Sequence, residues 1–371
     1  MAGRRLSPEK KAEIAAEEAQ KRAEVAARRA EARARQRLAL VRFRRALKWY
    51  LLAGIILLEI GLRFVLGNFA QSRLLHHSDH LDVCLETRPD FDMLYTGWML
   101  RVPPTRMRTN SLGARGNEIA ATRPEGALRV LHLGDSFTFG QGVEESEAFS
   151  RIVADELEDD GFTIETLNFG VPGHGTPQSV ALLEHKLLNL KPDVVLLHVF
   201  ANDLSAEDSY CLRGPRQGKS RTQRWLLQNV YLARLVAIMT SPFRQVATPA
   251  DVAVLGSPEE RYVEAIERAG ELATEHGFLF GVVLLTDQTM FTDSPYCRDC
   301  SAPHSLKPRG PAHFIDMSDT WLALQRDVPL NFITGEGHLT AAGNQTMGIG
   351  IAHRMRSWVP FEELARERSK P

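Results

Sequence analysis

Cysteine is scarce: four in 371 residues, enough for two disulfides at most. Cys297 and Cys300 form a C-x-x-C in a turn-rich segment, while Cys84 and Cys211 stand alone. One or two disulfides fit a domain outside the cytoplasm. A thioredoxin-like role does not fit, because Cys297 does not open a helix after a strand. A zinc site needs two more ligands, and the spacing to His304 and His313 matches no strong zinc pattern, so no metal is expected. No glycine loop of P-loop spacing runs into Lys-Ser or Lys-Thr, so nucleotide hydrolysis lacks its phosphate cradle and no cofactor is implied. Internal repeats are absent.

Long apolar runs are missing too, with one exception. Trp49 to Leu66 is nearly unbroken, and as a helix its 18 residues span about 27 Å, close to a bilayer's hydrocarbon core. Glu59 and Arg63 within it are spaced to pair one helical turn apart, which lowers their cost in lipid without removing it. Trp49 and Tyr50 suit an interfacial belt. A cleaved signal peptide and a buried helix compete with the membrane reading. The long preceding arm and the lack of an A-x-A site after Leu66 count against cleavage.

That arm, residues 1–48, holds 15 Lys or Arg against six Glu and few large apolar residues. It has no seam for a coiled coil and reads as a solvated, basic helix. Arg42, Arg44, Arg45 and Lys48 abut the apolar stretch. They place the N-terminus in the cytoplasm and the remainder outside it, extracytoplasmic or periplasmic. Topology and anionic lipid account for the charge, so no nucleic-acid partner is expected.

At 44% hydrophobic the chain can bury a full core. Residues 67–126 are turn-rich and read as an extended linker. From Leu128 strands and helices alternate. Strands are predicted at Arg129–Leu133, Thr163–Asn168, Val194–Phe200 and Phe278–Leu285, with a weaker one near Leu330–Ile333. Helices are predicted at Glu144–Glu158, Thr176–Leu190, Pro258–His276, Met317–Arg326 and Thr340–Trp358. Such alternation implies a parallel, helix-covered sheet. The domain is expected over 127–360, with an insertion at about 204–257 as a lid, an interaction surface or an extra packed helix, and a tail over 361–371.

Strand ends carry the candidate chemistry. Gly134-Asp135-Ser136 follows the first strand, Asn168 to Gly173 the second, and Asn202-Asp203 the third, while Gly335 to Thr340 precedes the final helix. In a parallel sheet these carboxyl ends share one edge. Ser136 is the candidate nucleophile and His338 its base. The N–H of Gly170, the amide of Asn202 and the N–H of Ser136 are candidate oxyanion donors. Asp135 is expected to hold the turn, Gly173 and Gly175 to serve theirs, and His174 to line the pocket. His132 and His198 lie in apolar strands and read as core histidines.

Ser136, Gly170, Asn202 and His338, in that order and those contexts, resemble the blocks of the SGNH, or GDSL-type, hydrolase superfamily over about Leu128 to Trp358. The resemblance implies a flavodoxin-like three-layer α/β/α fold with a central parallel sheet, here preceded by one transmembrane helix. It also implies hydrolysis or transfer of an ester-linked acyl group. Thr138 stands where an α/β-hydrolase elbow has its second glycine, which separates the chain from that fold. Two positions depart from the pattern. Phe200 replaces a glycine two residues before Asn202, and Glu336 stands where the family's aspartate precedes the histidine. Glu336 is therefore the candidate acid, with Asp327 and Asp316 as fallbacks. Three functions follow: an esterase acting on an acylated glycan, lipid or small molecule, an O-acyltransferase of cell-surface polysaccharide, or a silent glycan-binding domain.

Overall fold

The computed structural model describes residues 8–66, 73–95, 104–119, 123–204, 258–286, 312–333 and 337–368, together with 222, 226 and 230–233. Nearly all of the insertion, Cys211, Cys297, Cys300 and Glu336 lie outside the described residues. Two compact units emerge, Met1–Gly61 and Leu62–Pro371.

The first unit is carried by helix α1 (Pro8–Leu66). Trp49, Tyr50, Leu51, Ile55, Ile56, Leu57 and Ile60 are all exposed along it. No helix among the described residues is long and apolar enough to cross a membrane. Lys48 precedes the apolar stretch, and Glu59 and Arg63 interrupt it.

The second unit is a three-layer α/β/α sandwich. Its sheet comprises β5 (Leu128–Gly134), β6 (Ile164–Gly170), β7 (Val194–Val199), β8 (Leu279–Leu284) and β9 (His313–Asp316). All pairs are parallel, in the order β6-β5-β7-β8-β9. Helix α3 (Phe149–Asp159) joins β5 to β6, and α4 (Thr176–Leu182) begins the crossing from β6 to β7. Because the order reverses at β5, right-handed crossovers put these helices on opposite faces. The packing agrees: α3 lies on α8 (Ala341–Arg356), and α4 on α5 (Pro258–His276). β7 is buried along its whole length, as a strand covered on both faces must be.

Three expectations need correcting. The weak strand at Leu330–Ile333 is instead the one-turn helix α7 (Val328–Asn331), after α6 (Ser318–Leu324). Asp327 caps α7 by accepting from the Leu330 N–H, and Pro329 sits in its first turn, both helix-start signals. The fifth strand is β9. The tail is also folded: α9 (Val359–Arg368) buries Phe361 and Ala365 in the core.

The segment read as a linker is part of the domain. It forms two antiparallel pairs, β1 (Leu75–His77) with β2 (Leu85–Thr87) and β3 (Asp92–Tyr95) with β4 (Thr105–Arg108). Val83 and Ala114 enter the main core, while Leu74, Tyr95 and Met107 form a second cluster around Phe139. Cys84, on the β1–β2 turn, is disulfide-bonded, and the other three cysteines lie outside the described residues. At the amino end of the sheet, Asp193 gathers the Arg123 guanidinium at 2.7 Å, the Arg129 N–H at 2.8 Å and the Arg368 guanidinium at 2.8 Å.

His132 on β5 and His198 on β7 are fully buried core residues, as expected, joined by one Nδ1···Nε2 contact of 2.9 Å between stacked rings, while His132 Nε2 and His198 Nδ1 have no hydrogen-bond partner among the described residues. Burial pushes His132 down to about 3 and His198 well below its ordinary value, the latter helped by its partner. Both are neutral in the fold, whereas the unfolded chain protonates them below about pH 6.5. Their contribution is therefore complete above that pH and is lost as pH falls towards the folded values, by up to about 1.4 kcal/mol per histidine per pH unit. Chemical denaturation between pH 7 and 5 should show stability falling on acidification, with a shallower slope in His132→Gln.

Candidate active site

Ser136 opens the four-residue helix α2 (Ser136–Phe139) immediately after β5. Between Val130 and Val143 it is the one residue that is not buried. The turn has no room for error. Gly134 has φ of 149°, and a Cβ there would stand 2.3 Å from Thr138 Oγ1. Asp135 is buried and its carboxylate accepts the Phe137 N–H at 2.8 Å, so it holds the turn as the sequence suggested.

The N–H groups of Gln141 and Gly140 meet the Ser136 and Phe137 carbonyls, but so short a helix leaves its last carbonyls without internal donors, and two neighbouring side chains supply them. Asn168 Nδ2 donates to Thr138 O at 2.6 Å and to Ser150 Oγ at 2.8 Å. Arg115 is fully buried, and its guanidinium donates to the carbonyls of Phe139, Gly140 and Val143 while lying 4.6 Å over the Phe139 ring. Its own N–H bonds Asn168 O at 2.8 Å, which joins the two donors into one clamp. Burial pushes Arg115 down to about 10, opposed by Glu145, Glu144 and Glu147, so it remains a cation at neutral pH. A positive charge at the carboxyl end of a helical turn is also the favourable sign for its dipole.

Gly170 is at this site for a different reason from the one expected. Its N–H donates to Asn168 Oδ1 at 2.9 Å and is therefore committed within the fold, not offered to an oxyanion. What Gly170 provides is closeness: a Cβ there would lie 2.3 Å from Phe139 N and 2.7 Å from Thr138 C. The glycine lets the end of β6 press against the nucleophile turn.

His338 comes from the far end of the domain. Phe332 pairs with Leu339 in an isolated bridge, and the Ile333 N–H donates to His338 O at 2.7 Å. His338 Nε2 lies 2.8 Å from Ser136 Oγ. The imidazole lies 5.1 Å from the Phe137 ring, which itself packs on Phe200 and Trp321, with Phe332 beyond. Burial in this aromatic setting pushes His338 down to about 4. Phe200, where the resembled family has glycine, is thus part of the wall behind the base.

The remaining candidates separate. Asn202 lies on a single 3-10 turn, Ala201–Leu204, at the end of β7, closed by the buried Asp203 accepting from the Phe200 N–H at 2.6 Å. Asp316 accepts from the N–H and hydroxyl of Ser318, and Asp327 caps α7, so both fallback acids are engaged in local turns. Glu336 falls outside the described residues. His174 is buried instead of lining a pocket, and its Nε2 lies 2.7 Å from Leu85 O on β2. Arg115 and Asn168 are what the residue patterns did not single out as functional. Arg115 sits in an aperiodic stretch, and only the position of Asn168 beside Gly170 hinted at it.

No family model and no curated protein matches the chain. Solved structures do resemble it. They include the psychrotrophic esterase EstA from Pseudoalteromonas sp., with 12% identity over 62% of this chain and 98% of that one and a TM-score of 0.40. The acetyl xylan esterase AlAXEase shows 16% identity over 62% and 100%, with a TM-score of 0.37. AlinE4, an SGNH-hydrolase family esterase, shows 15% over 44% and 60%, with a TM-score of 0.27. The likeness is slight, and the chemistry has to be argued from the site itself.

Arg115→Met would leave the Phe139 and Val143 carbonyls without their guanidinium donor, with Gly140 O keeping the Val143 N–H, and should lower stability by about 3 kcal/mol. It should also slow labelling of Ser136 by a fluorophosphonate, with Arg115→Lys intermediate. Denaturant midpoints and labelling rates on the same preparations check both.

Proposed function

We propose that the protein is a serine-dependent ester hydrolase of SGNH type, taking the acyl group of an acylated glycan, lipid or small molecule. One observation carries the reading: the only unburied residue of a buried strand–turn segment is a serine whose hydroxyl lies 2.8 Å from an imidazole nitrogen. That is the geometry of a nucleophile and its general base.

In this reading His338 Nε2 takes the Ser136 proton as Oγ attacks the ester carbonyl. The imidazolium returns that proton to the departing alcohol, leaving an acyl-serine. Water then attacks the acyl carbon, gives its proton to His338, and the serine is restored. The developing oxyanion needs donors that are not already engaged. The N–H groups of Ser136 and Gly173 make no hydrogen bond among the described residues, and both sit at the carboxyl edge of the sheet. With Gly170 committed to Asn168, we assign the hole to these two and to Asn202, and the orienting carboxylate to Glu336.

We also take residues 49–66 to hold the protein at a membrane, with the catalytic domain on the outer side. The contiguous exposed apolar side chains from Trp49 to Ile60, the Arg42–Lys48 cluster before them and the disulfide at Cys84 support this arrangement.

Full-length protein in mild detergent, assayed with p-nitrophenyl acetate, tests the chemistry. Ser136→Ala should lose about 10³-fold or more in kcat, and Glu336→Gln should fall between it and the unaltered protein. Unchanged turnover in Ser136→Ala would sink the proposal. Because the base is neutral down to about pH 4, kcat/KM should stay level from pH 8 to about pH 5, where an ordinary histidine at about 6.5 would already have been protonated. For the anchor, the protein should stay in the membrane pellet through an alkaline carbonate wash, and release into the supernatant would refute it.

A further inference from the structure

Away from Ser136, two separate elements bring a second group of side chains together. His80 and Asp82 lie on the turn between β1 and β2. His185 lies in the helical run that continues α4, on a π-helical turn over Leu183–Leu187. One ligand atom from each residue falls within 4.8 Å of the others. His185 Nε2 is 2.7 Å from Asp82 Oδ2, and the His80 and His185 rings stack at 4.1 Å with 10° between their planes.

From this geometry we infer a divalent-metal site of two imidazoles and one carboxylate, His80, Asp82 and His185, that clips the β1–β2 hairpin to the α4 helical run. Two imidazoles and a carboxylate suit borderline cations such as Zn²⁺, Co²⁺ or Ni²⁺, with remaining positions for water.

The surroundings favour ligation over a chance surface contact. The hairpin turn is fixed on both sides of His80: its N–H donates to Ser78 Oγ at 3.0 Å, and its carbonyl accepts from Cys84 N–H at 3.2 Å. Cys84 is itself held by a disulfide. Asp82 Oδ1 accepts the Val83 N–H at 3.2 Å, which orients the carboxylate and leaves Oδ2 for the cluster. On the other side, the π turn keeps Leu183 and Leu187 in the core while His185 and Lys186 reach the hairpin, Lys186 pairing with Glu86. Single π turns inside helices recur at functional sites. Metal–ligand bonds of about 2.1 Å set tetrahedral donors about 3.4 Å apart. The donor atoms, within 4.8 Å of one another, must therefore close by up to about 1.4 Å. The His80 and His185 rings must also turn out of their stack so that both nitrogen lone pairs face the cation, which replaces the His185–Asp82 hydrogen bond.

The clip has a reach beyond its own ligands. The same β2 strand accepts the His174 ring through Leu85 O. His174 neighbours Gly173, so tightening the hairpin steadies the loop at the edge of the catalytic site. The metal site itself does not depend on Ser136 being a nucleophile.

Tag-free, full-length protein in detergent, stripped with chelator, should bind one Zn²⁺ by titration calorimetry and gain in thermal midpoint. Co²⁺ should give the intensified visible band of a four- or five-coordinate ion. His185→Ala and His80→Ala should each weaken Zn²⁺ binding at least about tenfold, with Asp82→Asn and His185→Gln as milder variants should the alanines fold poorly. Only the pale spectrum of fully hydrated Co²⁺ with the unaltered protein would overturn the proposal. So would equal Zn²⁺ affinity in the folded His80→Gln/His185→Gln double variant.

Discussion

The Ser136 edge of the sheet depends on side-chain donors supplied to a helical turn too short to satisfy all of its own carbonyls. Four residues, Ser136–Phe139, must hold a serine at a fixed angle, and the turn's carbonyls point into a dry interior where an unmet acceptor costs about 1–3 kcal/mol. Asn168 meets one of them and Arg115 meets those that follow. Everything nearby is arranged to let these two side chains arrive. Gly170 is bare so that β6 can approach, the β3–β4 region wraps across so that Arg115 can enter, and Glu144, Glu145 and Glu147 balance the buried cation.

Against that constraint, His338 is comparatively loosely specified. It lies beside the isolated Phe332–Leu339 bridge, with its ring 5.1 Å from that of Phe137. Its depressed proton affinity follows from that apolar support. The two are held differently: polar contacts fix Ser136, and apolar contacts set the state of His338. A histidine kept neutral by burial is ready to accept a proton over a wide pH range, though it gains less driving force for holding one.

Much of this was legible in the chain, and the reasons differ by element. Four of the five sheet strands were readable, β5, β7 and β8 as mostly apolar runs and β6 by its interspersed apolar residues, and Ser136 and His338 because they stand at predicted strand and helix boundaries. β9 escaped because His313–Asp316 is four residues long and half polar. The helix at Val328–Asn331 reads as a strand in sequence because Leu330, Phe332 and Ile333 are β-forming residues, which mask the helix-start signals of Asp327 and Pro329. Residues 67–126 lacked periodicity, since their pairs are three or four residues long and their packing is tertiary. Arg115 could not have been found this way, for a buried arginine is recognisable only by the carbonyls it meets. Glycine at 170 was noticed for its missing side chain, but whether that freedom served an oxyanion or a neighbouring helix was decided by where its N–H points.

The cluster at Asp193 has an architectural consequence. Arg123, a few residues before β5, and Arg368, at the end of α9, grip one carboxylate at the amino end of the sheet. Gly126 also lies against the backbone of Arg368, its ideal Cβ only 3.0 Å from that carbonyl. The α/β fold therefore closes on itself like a purse, its two drawstrings knotted on the side opposite the serine. A module grafted after α9, or a polypeptide re-spliced across that knot, would leave from the back of the sheet and keep the catalytic rim clear.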